Sequence, residues 1–175
     1  MFMTVGIVVV PVLAGVLLFA ATRADTFRVE RTTGIKAPAD RIYPLINDFH
    51  RWETWSPFEK LDPAMKKSYS GPASGRGAIY EWEGNSKAGM GRMEITGTSP
   101  SSSVTIKLDF LKPFEGHNTA QFTLQPTGDS TNVSWAMYGA VPYMAKLMTM
   151  FFDRDRMLGT MFDEGLANLK ARTEG

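Results

Sequence analysis

An α+β domain, built from one antiparallel sheet and a long C-terminal helix and preceded by a transmembrane segment, is what the sequence predicts from three observations. Residues Met1–Thr22 form an uninterrupted apolar run with no charged side chain, about the 20 residues needed to cross the hydrocarbon of a bilayer. In Thr26–Ile35 and again from Lys66 to Tyr138 apolar and polar residues alternate, the later runs being short and separated by turn residues, the period of half-buried strands. From Tyr143 to Arg172 proline is absent and the apolar spacing lengthens to that of a helix.

Each element follows in order. The opening run divides the chain into an anchor, residues 1–24, and a folded domain, residues 25–175. A cleaved signal peptide competes with the anchor, but it wants a positively charged start and a shorter apolar stretch. Arg23, Arg28 and Arg31 follow the run and no Lys or Arg precedes it, so the domain leans to the cytoplasmic side. Thr26–Ile35 alternates as a strand. Ala37-Pro38-Ala39-Asp40 then starts a short helix carrying Ile42, Leu45 and Ile46, limited or kinked by Pro44. A second short helix holds Phe49, Trp52 and Trp55 and ends in a loop at Ser56-Pro57. From Lys66 onwards about six strands form a meander with one apolar, aromatic face and one polar face. In the last element Met144, Leu147, Met148, Phe151, Leu158, Phe162, Leu166 and Leu169 make a stripe to be laid on the sheet.

Composition narrows the chemistry. With 19 basic and 18 acidic side chains the net charge is +1 and no basic run occurs, so a nucleic-acid partner is not expected. The chain has no cysteine and only two histidines, His50 and His117. Thiol nucleophiles, disulfides and Cys- or His-rich metal sites are therefore excluded, and neither cofactor nor metal is expected.

The order of elements, together with Asp25-Thr26-Phe27-Arg28-Val29-Glu30-Arg31, the run from Trp52-Glu53-Thr54-Trp55-Ser56-Pro57 to Asp62-Pro63, Ser70-Gly71-Pro72 with Gly75 and Gly77, and Phe162-Asp163-Glu164-Gly165-Leu166, resembles the polyketide cyclase/dehydrase-like branch of the SRPBCC superfamily. The resemblance extends from about residue 25 to the end. It implies the helix-grip, START-like fold, a curled antiparallel sheet around a long C-terminal helix, with a hydrophobic cavity between the two. It implies no particular reaction, and no catalytic triad transfers onto this chain.

Candidate cavity residues are Trp52, Trp55, Tyr80, Trp82, Met93, Phe110, Phe122 and Trp135 from the sheet and short helices, and Met148, Phe151 and Asp155 from the long helix, Asp155 as a ligand-orienting or acid–base group. Any one of these could equally be plain core. Eleven Met and eleven Phe favour an adaptable apolar pocket. Asp155 interrupts the helix stripe, four after Phe151 and seven before Phe162. A carboxylate there should be desolvated unless a cation such as Arg76 or Arg92 reaches it, and Gly159 leaves room beside it. Two other signals are discounted. Gly71–Gly77 lacks the Lys and hydroxyl of a phosphate loop and leads into a strand. His117, near Glu115, reads as a solvated turn histidine. The expected function is a membrane-anchored binding or carrier protein for a hydrophobic small molecule or lipid. The alternative is a cyclase- or dehydratase-type enzyme acting on a polyketide-like carbonyl substrate, and a third possibility is an interaction module whose cavity is filled by its own side chains.

Overall fold

The structure is a computed structural model that describes residues 21–22, 24–142, 145–146 and 153–175. The expected span and the stripe residues Met144, Leu147, Met148 and Phe151 lie outside the described residues. Among the described residues no helix is long and apolar enough to cross a membrane.

Strand β1 (Thr26–Ile35) is followed by helix α1 (Ala39–Ile46) and two 3-10 segments, Phe49–Thr54 and Pro57–Lys60. Then come β2 (Lys66–Ser70), β3 (Ile79–Glu83), β4 (Met90–Ser99), β5 (Ser103–Lys112), β6 (Gly116–Thr127) and β7 (Ser130–Ala140), and finally helix α2 (Arg154–Glu174). The seven strands form one antiparallel sheet in the order β1-β7-β6-β5-β4-β3-β2. Hairpins join β2 through β7 in sequence, and β1 closes on β7, with Thr26 opposite Ala140 and Ile35 opposite Thr131. Alternation predicts the inward face correctly: Tyr80, Trp82, Met93, Ile95, Val104, Ile106, Leu108, Phe122 and Trp135 are all buried.

The expected single helix from Tyr143 to Arg172 is corrected at its start. Asp153 has an extended backbone (φ −80°, ψ 98°) and its carboxylate accepts from the Arg156 N–H, capping a helix that begins at Arg154. An Asp at this position satisfies a first-turn N–H that no earlier carbonyl reaches. Pro44 does not break α1, which ends two residues later at Ile46, with the Asn47 N–H donating to the Tyr43 carbonyl. The second short helix is two 3-10 turns. Each of the first two tryptophans there donates its indole N–H back to α1, Trp52 to the Ile46 carbonyl and Trp55 to the Leu45 carbonyl, both at 3.0 Å.

Helix α2 runs alongside β1. Its start lies near Phe27, over whose ring the Arg154 guanidinium sits at 4.4 Å, and at its end Glu174 accepts from the Lys36 N–H at 2.6 Å. Phe162, Leu166 and Leu169 are buried against the sheet. Two glycines permit the close approach. A Cβ at Gly165 would lie 2.7 Å from the Trp135 ring and 3.1 Å from Pro57. At Gly159 the space a side chain would fill is occupied by the Arg31 guanidinium.

Replacing Gly165 with alanine sets a helix-propensity gain of up to about 1 kcal/mol against an overpacking cost of about 1–3 kcal/mol. The ring it meets is buried on all sides, so the cost should win. Urea denaturation of Gly165→Ala is expected to show a net loss of stability with an unchanged m-value; a gain would mean that the Trp135 ring can yield.

Candidate functional site

The inward face of the sheet is too wide for α2 to cover alone. Trp135 is 2% exposed and stacks between Phe162 at 4.3 Å and Phe122 at 4.9 Å, which makes a solid aromatic core under the helix. Toward β2 and β3 the cover changes to the 3-10 segments and the loop after them. There the packing leaves a partly open cavity of about 70 Å3.

Its cover is Trp52, Phe58, Glu59, Leu61 and Met65; its floor is Tyr80, Trp82, Met93, Leu108, Phe110, Ala120, Trp135 and Met137, with Ala88 at one margin. The structure thus brings together six of the expected cavity residues: Trp52, Tyr80, Trp82, Met93, Phe110 and Trp135. Trp55 and Phe122 are fully buried in the solid core behind it and do not line it. Met148 and Phe151 lie outside the described residues. Among the described residues no α2 side chain lines the cavity, and the sheet and the 3-10 segments form its described walls.

Asp155 is also displaced from the expected role. It lies on the stripe that continues through Gly159, Phe162 and Leu166, but in the first turn of α2, where the helix overhangs the core. Its side chain is 63% exposed and pairs with Arg31 of β1 at 3.0 Å, not with Arg76 or Arg92. Arg31 crosses beneath Gly159 and also meets Asp163 at 3.4 Å. The Arg31 hydrogen bond holds the Asp155 carboxyl below its ordinary range. This is a helix-to-strand surface pair, remote from the cavity.

The polar chemistry of the cavity comes from Glu59, which the sequence reading did not single out. The Glu59 side chain is 6% exposed. One of its oxygens, Oε1, accepts from the Tyr80 hydroxyl at 2.8 Å. The other, Oε2, is ion-paired with Lys67 of β2, although the angle is not that of a hydrogen bond. Burial, and then the Glu59 charge and hydrogen bond, push the Tyr80 phenol well above the ordinary tyrosine range. Tyr69, which packs on Tyr80 with ring centroids 5.1 Å apart, is raised to about 12, first by burial and then by the charges of Glu59, Glu53 and Asp48. The Trp82 N–H donates to the Ala88 carbonyl at 2.9 Å, while Trp135 Nε1 is buried without a hydrogen-bond partner among the described residues. Glu59 escapes sequence reading because a 3-10 turn has no sustained period to say which way a residue faces. The sequence offers only that Glu59 follows Phe58 and precedes Leu61 by two, with the charged Lys60 between, which does not set it apart from a solvated turn residue.

His117 is solvated as expected, its side chain 63% exposed, but it lies on strand β6, directly opposite Asp109 of β5, and not in a turn. Its Nδ1 is 2.7 Å from the Asp109 carboxylate and its Nε2 3.4 Å from that of Glu115. The Asp109 hydrogen bond raises the His117 pKa above its ordinary 6.5. Asp109 is pushed up by burial, but hydrogen bonds from His117 and Lys107 outweigh this and hold it below its ordinary value. The pair lines no part of the cavity. Among the described residues no three Asp, Glu or His side chains converge as metal ligands.

Two measurements check these assignments. Removing the Tyr80 hydroxyl leaves a buried carboxylate with one hydrogen bond fewer, so Tyr80→Phe should cost about 1.5–3 kcal/mol in urea denaturation. For His117 the folded pKa lies above the unfolded one, so the pair stabilises fully at pH below about 6.5, and that contribution is lost as pH rises through the folded value. An NMR titration should place the His117 midpoint above 6.5 and return it toward that value in Asp109→Asn.

Comparison with known proteins gives a consistent picture of kinship. The family described as polyketide cyclase/dehydrase and lipid transport matches over residues 26–174. No curated protein matches the chain. Among solved structures, the Aha1 dimer from Colwellia psychrerythraea aligns with a TM-score of 0.61 at 18% identity, covering 85% of this chain and 96% of that one. Protein CV1439 from Chromobacterium violaceum aligns with a TM-score of 0.60 at 16% identity, over 86% of this chain and 98% of the other. Ginseng major latex-like protein 151 from Panax ginseng gives 0.58 at 16% identity, over 86% and 99%. At these identities the likeness is one of fold.

Proposed function

Because the chain belongs to the polyketide cyclase/dehydrase and lipid transport family, of the SRPBCC type and with the helix-grip fold, we propose that it binds and carries a hydrophobic small molecule or lipid in the cavity beneath Trp52, Phe58 and Met65. The observation that carries this reading is the lining itself: of its residues only Glu59 and Tyr80 have ionisable side chains, and the rest are aromatic or aliphatic. Burying apolar ligand surface is favourable at roughly 25 cal/mol per Å2. Met65, Met93 and Met137 on the wall can change rotamer to accommodate a guest larger than the resting cavity.

A second reading, a cyclase- or dehydratase-type enzyme, has one observation in its favour, the contact of Glu59 with Tyr80 inside the cavity. Acid–base work needs groups free to exchange protons with a substrate. Here the tyrosine proton is directed at Glu59, the carboxylate is held by Lys67, and no arginine lines the cavity. These commitments support carriage over turnover. We further propose that Met1–Thr22, apolar and uncharged throughout, anchors the protein in a membrane, with the domain on the cytoplasmic side.

Filling the cavity tests the binding reading. Ala120 is a small residue in the floor, 3% exposed. Wild-type protein should bind an environment-sensitive fatty-acid probe saturably and with quenching of tryptophan emission. Ala120→Phe should weaken that binding by about tenfold or more, equivalent to at least about 1.4 kcal/mol. Absence of saturable binding by the wild type would favour the self-filled interaction module. Conversion of a bound carbonyl compound, abolished in Glu59→Gln, would favour the enzyme.

A further inference from the structure

The two ends of the sheet differ in chemistry. Cross-strand pairs Thr26 with Ala140, Asn118 with Gly139, Phe110 with Gly116, Met90 with Lys112, and Lys66 with Glu83 place one set of strand ends together. The N-terminal segment enters β1 at this end. The β5–β6 hairpin tip is also here, and α2 starts here beside Phe27. The three large apolar side chains that stand exposed among the described residues belong to these elements: Leu111 at 47%, Phe114 at 64% and Met157 at 60%. At the opposite end the turns are Pro100-Ser101-Ser102, Gly128-Asp129 and the Gly71–Gly77 loop, with no exposed large apolar residue.

From this we infer that the end bearing Leu111, Phe114 and Met157 is a docking face that rests on a phospholipid bilayer. The inference rests on the anchoring reading given above, and the geometry of the tether carries it. Only Arg23, Ala24 and Asp25 separate the apolar run ending at Thr22 from the first strand residue, Thr26. Four backbone steps span at most about 14 Å. An anchored domain must therefore hold this end close to the headgroups, where exposed Leu, Phe and Met side chains find an apolar boundary. The hairpin tip carries Lys112 and Glu115 together, so the contact is apolar in character and needs no anionic lipid. The cavity is lined toward the same end by Trp82, Ala88 and Phe110, which places that wall of it on the side of the bilayer.

The absence of cysteine makes the test specific, because a single introduced thiol is the only one to react. Full-length Phe114→Cys, labelled with an environment-sensitive fluorophore, is reconstituted into phosphatidylcholine vesicles, beside Ser102→Cys at the opposite end as control. Flotation of the vesicles reports the anchor separately. The expected result is co-flotation of both variants, with a blue shift and quenching by nitroxide-bearing lipid at position 114, unaffected by salt, and neither at position 102. Flotation without any response at 114, or with equal responses at both positions, overturns the docking face while leaving the anchor standing. Loss of both flotation and response overturns both. A shift at 114 that develops with protein concentration in detergent, without lipid, would assign the surface to a second copy of the chain and overturn the bilayer assignment.

Discussion

The contact on which the rest of the molecule depends is the stack of Phe122, Trp135 and Phe162. It joins two adjacent strands to the long helix through ring centroids 4.9 and 4.3 Å apart, and it is possible only because residue 165 has no side chain to hold the helix away. Aromatic pairs in such offset or edge-on arrangements add about 0.5–1.5 kcal/mol each beyond the area they bury. Trp55 and Phe58 abut the same indole edge-on at 5.5 and 5.9 Å, so one residue seats the helix, the sheet and both 3-10 turns. A rigid centre of this kind leaves the incomplete packing to the side.

That side is where the cavity lies. The helix is anchored along β1 by Arg31 at its start and by Lys170 and Glu174 at its end, which commits it to one margin of a seven-stranded sheet. The opposite margin, β2 and β3, is roofed by short 3-10 turns held to α1 by two indole hydrogen bonds. Short irregular elements cover a surface less closely than a helix with a continuous apolar stripe. An apolar floor under such a roof gives a pocket, and the single carboxylate in it is paired with the Lys67 ammonium and accepts from the Tyr80 hydroxyl. Without those partners the burial of Glu59 would carry a desolvation cost of several kcal/mol.

Polar pairing outside the pocket has a different character. Arg31 with Asp155 and Asp163, Arg92 with Glu81, and His117 with Asp109 all join neighbouring elements at least partly open to water. They help to set register, contributing little each. The ends of the sheet also differ: one carries exposed Leu111, Phe114 and Met157, and the other has no large apolar side chain exposed among the described residues.

The strands were legible in the sequence because a period of two assigns every residue of a strand to a face without knowledge of its neighbours. The extent of β1 and the inward set on β3 to β7 follow from it, and the buried half of α2 follows from the helical period of 3.6 in the same way. The resemblance over residues 25–175 added the helix-grip arrangement, in which that antiparallel sheet curls around the long helix. What tertiary structure decided is which inward residues pack solid and which border a void. Trp55, Phe122 and Trp82 carry the same pattern in the sequence, yet only Trp82 lines the cavity, because the distinction depends on what lies opposite in space. Asp155 has the right helical phase for burial and is exposed, because phase says nothing of where a helix overhangs its sheet. Glu59 was invisible for the complementary reason: a 3-10 turn has no sustained period, and its burial exists only once Tyr80 and Lys67, from strands later in the chain, close around it.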